Sequence, residues 1–106
     1  MALQPDPEEV KCEALLQLDP LLQHRARLGI CVLLSDTTAL SFSRLKELLG
    51  ETDGNLGAQL RKLEQATYVA VRKEFQDRKP VSWYSITAAG RKALRKHVSA
   101  LRRVLG

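Results

Sequence analysis

The sequence predicts a mainly helical α+β domain in the order helix, helix, short strand, helix, helix, hairpin, helix. Three observations carry this. Apolar residues recur at helical spacing behind capping residues such as Asp6, Thr52 and Thr87. After Gln65 the period changes to alternation, with a polar turn between two alternating runs. And 106 residues, 44% hydrophobic and 27% charged, with no repeat and no linker, make one globular domain over residues 1–106.

Residues 1–5 are expected to fray. Asp6 then reads as a cap, Pro7 suits the first helical position, and Glu9 stands where a capping box would place it. This helix runs over about 7–18, with Val10, Ala14, Leu15 and Leu18 as its apolar stripe. Asp19-Pro20 stops it and starts a second, Pro20 to Ser35, with an irregularity near His24. Leu28, Ile30, Cys31, Val32, Leu33 and Leu34 make that helix apolar nearly all round, as a central helix is. Residues 38–42 leave room for only a short extended piece. Ser43 is the expected cap of a two-turn helix, Arg44 to Leu49, ended by Gly50. Thr52 caps the next helix, to about Gln65, whose Leu56, Leu60 and Leu63 form one narrow stripe. Val69, Val71 and Phe75 alternate with polar neighbours as a strand, Gln76 to Pro80 is a polar turn, and Val81 to Ile86 returns with Trp83 and Tyr84. Thr87 caps a last helix, Ala88 to Leu105. Two short helices joined by a Gly-containing turn, then a charged-tip hairpin, are the winged helix-turn-helix arrangement.

The net charge of +5 is unevenly spread. Residues 1–54 hold five Lys/Arg against nine Asp/Glu, a net of −4, while residues 55–106 hold twelve against three, a net of +9. One strongly basic half in a small domain points to a polyanion or an acidic surface. Double-stranded DNA is the polyanion that fits the helix pair. With the Leu56/Leu60/Leu63 stripe inward, Gly54, Ala58, Arg61, Lys62 and Gln65 point outward, flanked by Asn55 and Gly57. Small side chains near the N-terminus permit close approach to a major groove. Asn pairs with adenine, and Arg61 or Lys62 reaches phosphate or guanine. The expected contact set on this helix is Thr52, Asp53, Gly54, Asn55, Gly57, Ala58, Gln59, Arg61 and Lys62. On the hairpin it is Arg72, Lys73, Arg78 and Lys79, with Arg78 at the tip, along the backbone or into the minor groove.

In the last helix Leu94, Val98, Leu101 and Leu105 make one stripe, and Ala93, His97, Ala100 and Val104 a second beside it. The combined apolar arc is wider than one core needs. A two-fold partner is the expected cover, so a homodimer is predicted through Val10, Ala14, Leu15, Ala93, His97, Ala100, Leu101 and Val104.

Several segments also carry a resemblance. Leu18-Asp19-Pro20-Leu21-Leu22, Arg25-x-Arg27-Leu28-x-Ile30, Thr52-Asp53-Gly54-Asn55-Leu56, Leu60-Arg61-Lys62-Leu63-Glu64 and Tyr84-x-Ile86-Thr87-x-Ala89-Gly90-Arg91 resemble small single-domain winged-helix transcriptional regulators related to the MarR and ArsR families. The resemblance spans about residues 18–105. It implies a dimeric DNA-binding regulator with its recognition helix over Thr52 to Lys62 and its wing over Arg72 to Lys79. Two departures stand out. Gly57 and Gln59 replace the Ser or Thr and the His common in relatives, and Thr67 stands where a Gly usually ends the recognition helix before the aromatic residue, here Tyr68. The second predicts a strained helix end.

Other classes are poorly served. No apolar run is long enough to span a bilayer, and no signal peptide opens the chain. Cys12 and Cys31 form neither a metal pattern nor a disulfide framework, so both are expected as small core residues in a reducing cytoplasm. No metal, no cofactor and no enzymatic constellation is expected, and a small-molecule effector is left unnamed. The competing reading is a winged-helix module that docks an acidic protein partner on the hairpin face through Trp83.

Overall fold

The computed structural model describes Gln4 and residues 6–106, so the expected fraying of residues 1–5 lies, Gln4 apart, outside the described residues. The elements are α1 (Pro7–Gln17), a 3₁₀ turn (Pro20–Gln23), α2 (Arg25–Ser35), β1 (Leu40–Ser41), α3 (Phe42–Leu49), α4 (Asp53–Gln65), β2 (Val69–Gln76), β3 (Lys79–Ile86) and α5 (Ala88–Leu105). This is a winged helix-turn-helix.

Most caps are where side-chain chemistry puts them. The hydroxyls of Thr52 and Thr87 accept from the N–H groups of Asn55 and Gly90. Two expectations change. Asp6 precedes α1 but its carboxylate makes no cap bond; only its carbonyl is used, by Glu9 and Val10 N–H. The cap of α3 is Ser41, not Ser43, because the chain leaves β1 directly into the helix and Ser41 is the last extended residue. The irregularity near His24 is a break. His24 is extended and its Nδ1 accepts from Ala26 N–H at 3.1 Å, capping α2 after the 3₁₀ turn.

The core collects Leu22, Ile30, Cys31, Leu34, Leu45, Leu56, Leu60 and Leu63, all fully enclosed. It is closed on one side by the antiparallel sheet β1-β3-β2. The register Leu40↔Tyr84↔Val71 sets Tyr84 inward, with Val69 and Ile86 beside it. Val32 departs from the expected all-round burial of α2 and is exposed. Phe75 departs too, at 78% exposure, because β2 and β3 extend past the core toward the wing tip. At the other end of the sheet, a Cβ on Gly90 would stand 2.2 Å from the Tyr68 carbonyl oxygen, an approach only glycine permits.

The second stripe of α5 is covered within the chain. α1 packs chiefly against α5, and Ala14 and Ala100 are fully buried while His97 is 3% exposed. These three expected dimer residues are therefore consumed by the α1–α5 packing, whereas Val10 and Leu15 are exposed and Ala93, Leu101 and Val104 are half-buried. α1 and the face of α5 that it covers form an arm, while the neighbouring face of α5 puts Leu94 into the core. The radius of gyration is 16.9 Å, against about 13 Å for a compact domain of similar length. A polar joint ties arm to module. Asp19 N–H donates to His97 Nδ1 at 3.0 Å, and Tyr68 Oη donates to the Asp19 carboxylate.

Candidate nucleic-acid interface

The residues from Ser41 to Gln65 build a helix pair with one solvent face. α3 ends on Gly50 in the left-handed region (φ 63°), which turns the chain sharply into Glu51-Thr52 and the start of α4. Gly54, Asn55, Arg61, Lys62 and Gln65 are exposed on α4, and Gly57 and Ala58 are half-buried. Thr52 and Asp53 are exposed at the helix start, where Asp53 is paired with Lys46 of α3 at 2.9 Å.

Gln59 is the exception. It is 7% exposed and turned toward α2, where its Oε1 accepts from Arg27 Nη1 at 2.6 Å. The expectation that Gln59 contacts DNA therefore fails in this structure. Residue 59 lies three positions after Leu56 and four before Leu63, at the edge of their stripe and close enough to be drawn inward once a partner exists there. That partner is Arg27, which sequence reasoning missed. Its signal was legible: at four and seven residues on, Cys31 and Leu34 share its helix face, and both are fully buried. A cation on a core-facing stripe requires acceptors.

The two strands split the wing cations. Lys73 pairs in register with Ser82 and Arg72 with Trp83, so neighbouring residues point to opposite faces of the ribbon. Lys73 shares with Asp53, Gly57, Arg61 and Tyr84 an open groove of about 550 Å³ between α4 and the wing. Arg72 is on the other face, held to Glu74 at 2.6 Å. The turn itself is two residues, Asp77 and Arg78, both at positive φ (50° and 67°), tighter than the five-residue turn expected. Arg78 and Lys79 are exposed to solvent at that tip. Trp83 is half-buried on the outer face, its indole N–H enclosed without a partner; Tyr84 is buried, which raises its hydroxyl pKa.

Thr67 has φ 64°, so the strain predicted from the missing glycine is present at the end of α4. Tyr68 N–H then donates to Leu63 C=O and its carbonyl accepts from Thr87 N–H, fastening the helix end to the wing base and α5. Cys31 is buried and inert, its thiol pushed up to about 11 by burial with the Asp19 charge adding to it; Cys12, contrary to expectation, is exposed on α1. Among the described residues no cluster of three His, Cys, Asp or Glu could hold a metal ion, and no helix is long and apolar enough to cross a membrane.

Residues 26–105 match the family model described as winged helix DNA-binding domain. Comparison with curated proteins gives no match. Among solved structures, the transcriptional regulator homologue protein from Pyrococcus horikoshii OT3 is similar with a TM-score of 0.80 and 28% identity, over 90% of this chain and 93% of that one. The M. tuberculosis transcriptional regulator MOSR, in complex with DNA, is similar with a TM-score of 0.68 and 21% identity, over 92% and 70%. A MarR family regulator from Silicibacter pomeroyi has a TM-score of 0.64 and 19% identity, over 92% and 65%; these last two share the fold.

Proposed function

The chain belongs to the winged helix DNA-binding domain family, and we propose that it is a sequence-specific transcriptional regulator that binds double-stranded DNA as a homodimer. The family is one of DNA-binding domains, not of enzymes. In this reading α4 enters the major groove and the wing follows the flanking backbone. The sites are Thr52, Asp53, Gly54, Asn55, Gly57, Ala58, Arg61 and Lys62 on α4, and Arg72, Lys73, Arg78 and Lys79 on the wing. The proposed setting is the cytoplasm, where the free thiols Cys12 and Cys31 stay reduced.

The observation that carries the reading is the glycine pair on the outward face of α4. Each glycine costs about 0.5–1 kcal/mol against Ala inside a helix. Neither has an internal reason: a Cβ at Gly54 meets nothing within 4 Å, and one at Gly57 meets only the end of Arg61 at 4.0 Å. Close approach of an external surface supplies the reason, and the exposed cations Arg61 and Lys62 one turn on give that surface its sign. Gly57→Leu should therefore keep the fold and abolish DNA binding. Arg61→Ala and Lys62→Ala should weaken binding and lower the salt slope by about one for each phosphate that is no longer neutralised. Unchanged affinity and slope in all three variants would sink the proposal.

The homodimer is supported by what the arm leaves uncovered. The outer face of α1 combines Glu8, Glu9 and Glu13 with the exposed Leu15 and Leu16. On the side of α5 away from α1, Arg91, Arg95 and Arg102 rim a groove of about 450 Å³ around Leu94 and Val98. Acidic and apolar on one side, basic and apolar on the other, the two surfaces suit two copies related by a two-fold axis. Trp83, on which docking of a protein partner at the hairpin would rest, is half-buried on the outer face of the ribbon.

A further inference from the structure

We infer that the buried Gln59 and the half-buried Arg27, both turned toward the interior, are positioning residues that decide which base-edge chemistry Asn55 reads. The inference rests on the DNA reading above. A chain of hydrogen bonds runs from the interior to the exposed start of α4. Arg27 Nε donates to the Leu21 carbonyl at 2.6 Å, and Arg27 Nη1 to Gln59 Oε1 at 2.6 Å. Gln59 Nε2 donates to Asn55 Oδ1 at 3.2 Å, and Asn55 Nδ2 donates to the Glu51 carboxylate.

Every link points the same way, and its first member dictates why. A guanidinium has donors only, so Gln59 must turn its oxygen inward and its NH2 outward. That NH2 has only donors to offer Asn55, which must turn Oδ1 toward it and Nδ2 toward solvent. Glu51, an acceptor, closes the series. The orientation of an exposed amide is thus set from two hydrogen bonds away, with i, i+4 spacing on α4 bringing Asn55 within reach of Gln59 and Glu51, just before the helix, within reach of Asn55.

The consequence concerns the groove. Asn55 presents one remaining N–H of its amide outward, so it seeks a base-edge acceptor such as guanine O6, thymine O4 or the N7 of either purine. A free asparagine amide, with its oxygen turned out, would accept from adenine N6 or cytosine N4. Gln59 and Arg27 choose between these two polarities without touching DNA.

Gln59→Glu reverses the choice. A carboxylate accepts from Arg27 and accepts again from Asn55, which must flip to put Nδ2 inward and Oδ1 outward. The test is selection of bound sequences from a randomised duplex library with the full chain, for the parent, Gln59→Glu, Asn55→Ala and the double variant. Thermal unfolding of each serves as a folding control, and Arg27→Lys is a second route to loosen the relay should Gln59→Glu fail to fold. The parent should favour an acceptor-bearing base at one position. Gln59→Glu should change that position alone, by roughly tenfold in preference, toward cytosine, whose major-groove edge offers a donor and no acceptor. Asn55→Ala should erase preference there, and the double variant should match Asn55→Ala. Should the parent enrich no sequence, the DNA reading falls and this inference with it. An enriched parental site that folded Gln59→Glu or Arg27→Lys leaves unchanged, or changes elsewhere, overturns the inference alone.

Discussion

The winged module and the α1–α5 arm are held together in different ways. In the module, leucines from α2, α3 and α4 meet at one centre and reach zero or near-zero exposure. In the arm, the residues fully enclosed between helices are small, Ala14 and Ala100, while Leu15 and Leu105 are exposed and Leu16 is 83% exposed. At about 25 cal/mol per Å² of apolar surface, two alanines contribute little beside eight large side chains. The module has a core of large side chains, to which α5 adds Leu94; the α1–α5 contact is built on small ones and leaves large apolar side chains exposed. Between them sits the Asp19–His97–Tyr68 joint, which hydrogen-bonds α5 to the residue that follows the end of α4.

That contrast breaks most clearly under truncation. Leu60→Ala, in the module, should lower unfolding free energy by about 3 kcal/mol in denaturant titration. Leu16→Ala, in the arm, should leave the monomer within about 0.5 kcal/mol and loosen only a concentration-dependent association. Equal costs at both sites would erase the distinction.

Charge tests the arm next. Reversing Arg95 and Arg102 together to Glu should raise the dimer dissociation constant at least about tenfold by analytical ultracentrifugation, by placing like charges opposite one another. Mixing that variant with a Glu9→Lys, Glu13→Lys chain should restore association as a heterodimer; failure to do so would remove α1 from the partner's groove.

A smaller gain is expected at the seam between the regions. Thr67→Gly relieves a β-branched residue at φ 64° and should stabilise the chain by about 0.5–1 kcal/mol in thermal unfolding, the relief being partly offset by glycine's entropy. No change would mean that glycine's entropy cancels the relief in full.

The smallest effect shows only in alkali. The hydrogen bond to Asp19, helped by burial and by nearby negative charge, pushes the Tyr68 hydroxyl from 10.0 up to about 12. Raising the folded-state value favours the protonated fold, so this stabilisation is whole below pH 10 and is lost as pH climbs through about 12. Alkaline unfolding of Tyr68→Phe should lack that component, and a parent with the same alkaline midpoint would remove it.

Much of this was legible one element at a time. The stripe of Leu56, Leu60 and Leu63, the cap at Thr52 and the alternation through Val69, Val71 and Tyr84 all follow from periodicity and local backbone chemistry, while the strain at Thr67 was implied by the family resemblance. The illegible features depend on what another element brings. Gln59 looked like a groove residue until Arg27 reached it from thirty-two positions away. Arg72 and Lys73 looked like one basic patch until the register set them on opposite faces. Ala100 and His97 looked like a partner's binding stripe until α1 was found lying on them.

So the sequence by itself determined the elements, their order, the inward leucine stripe of α4, and the basic half of net charge +9 that any polyanion would meet. Only tertiary structure decided where the polar side chains go. Burying apolar surface is non-directional, so a stripe announces itself wherever it lies. A hydrogen bond needs a specific partner at a specific distance, and for Arg27, Gln59, Asp19 and Tyr68 that partner comes from a distant part of the chain.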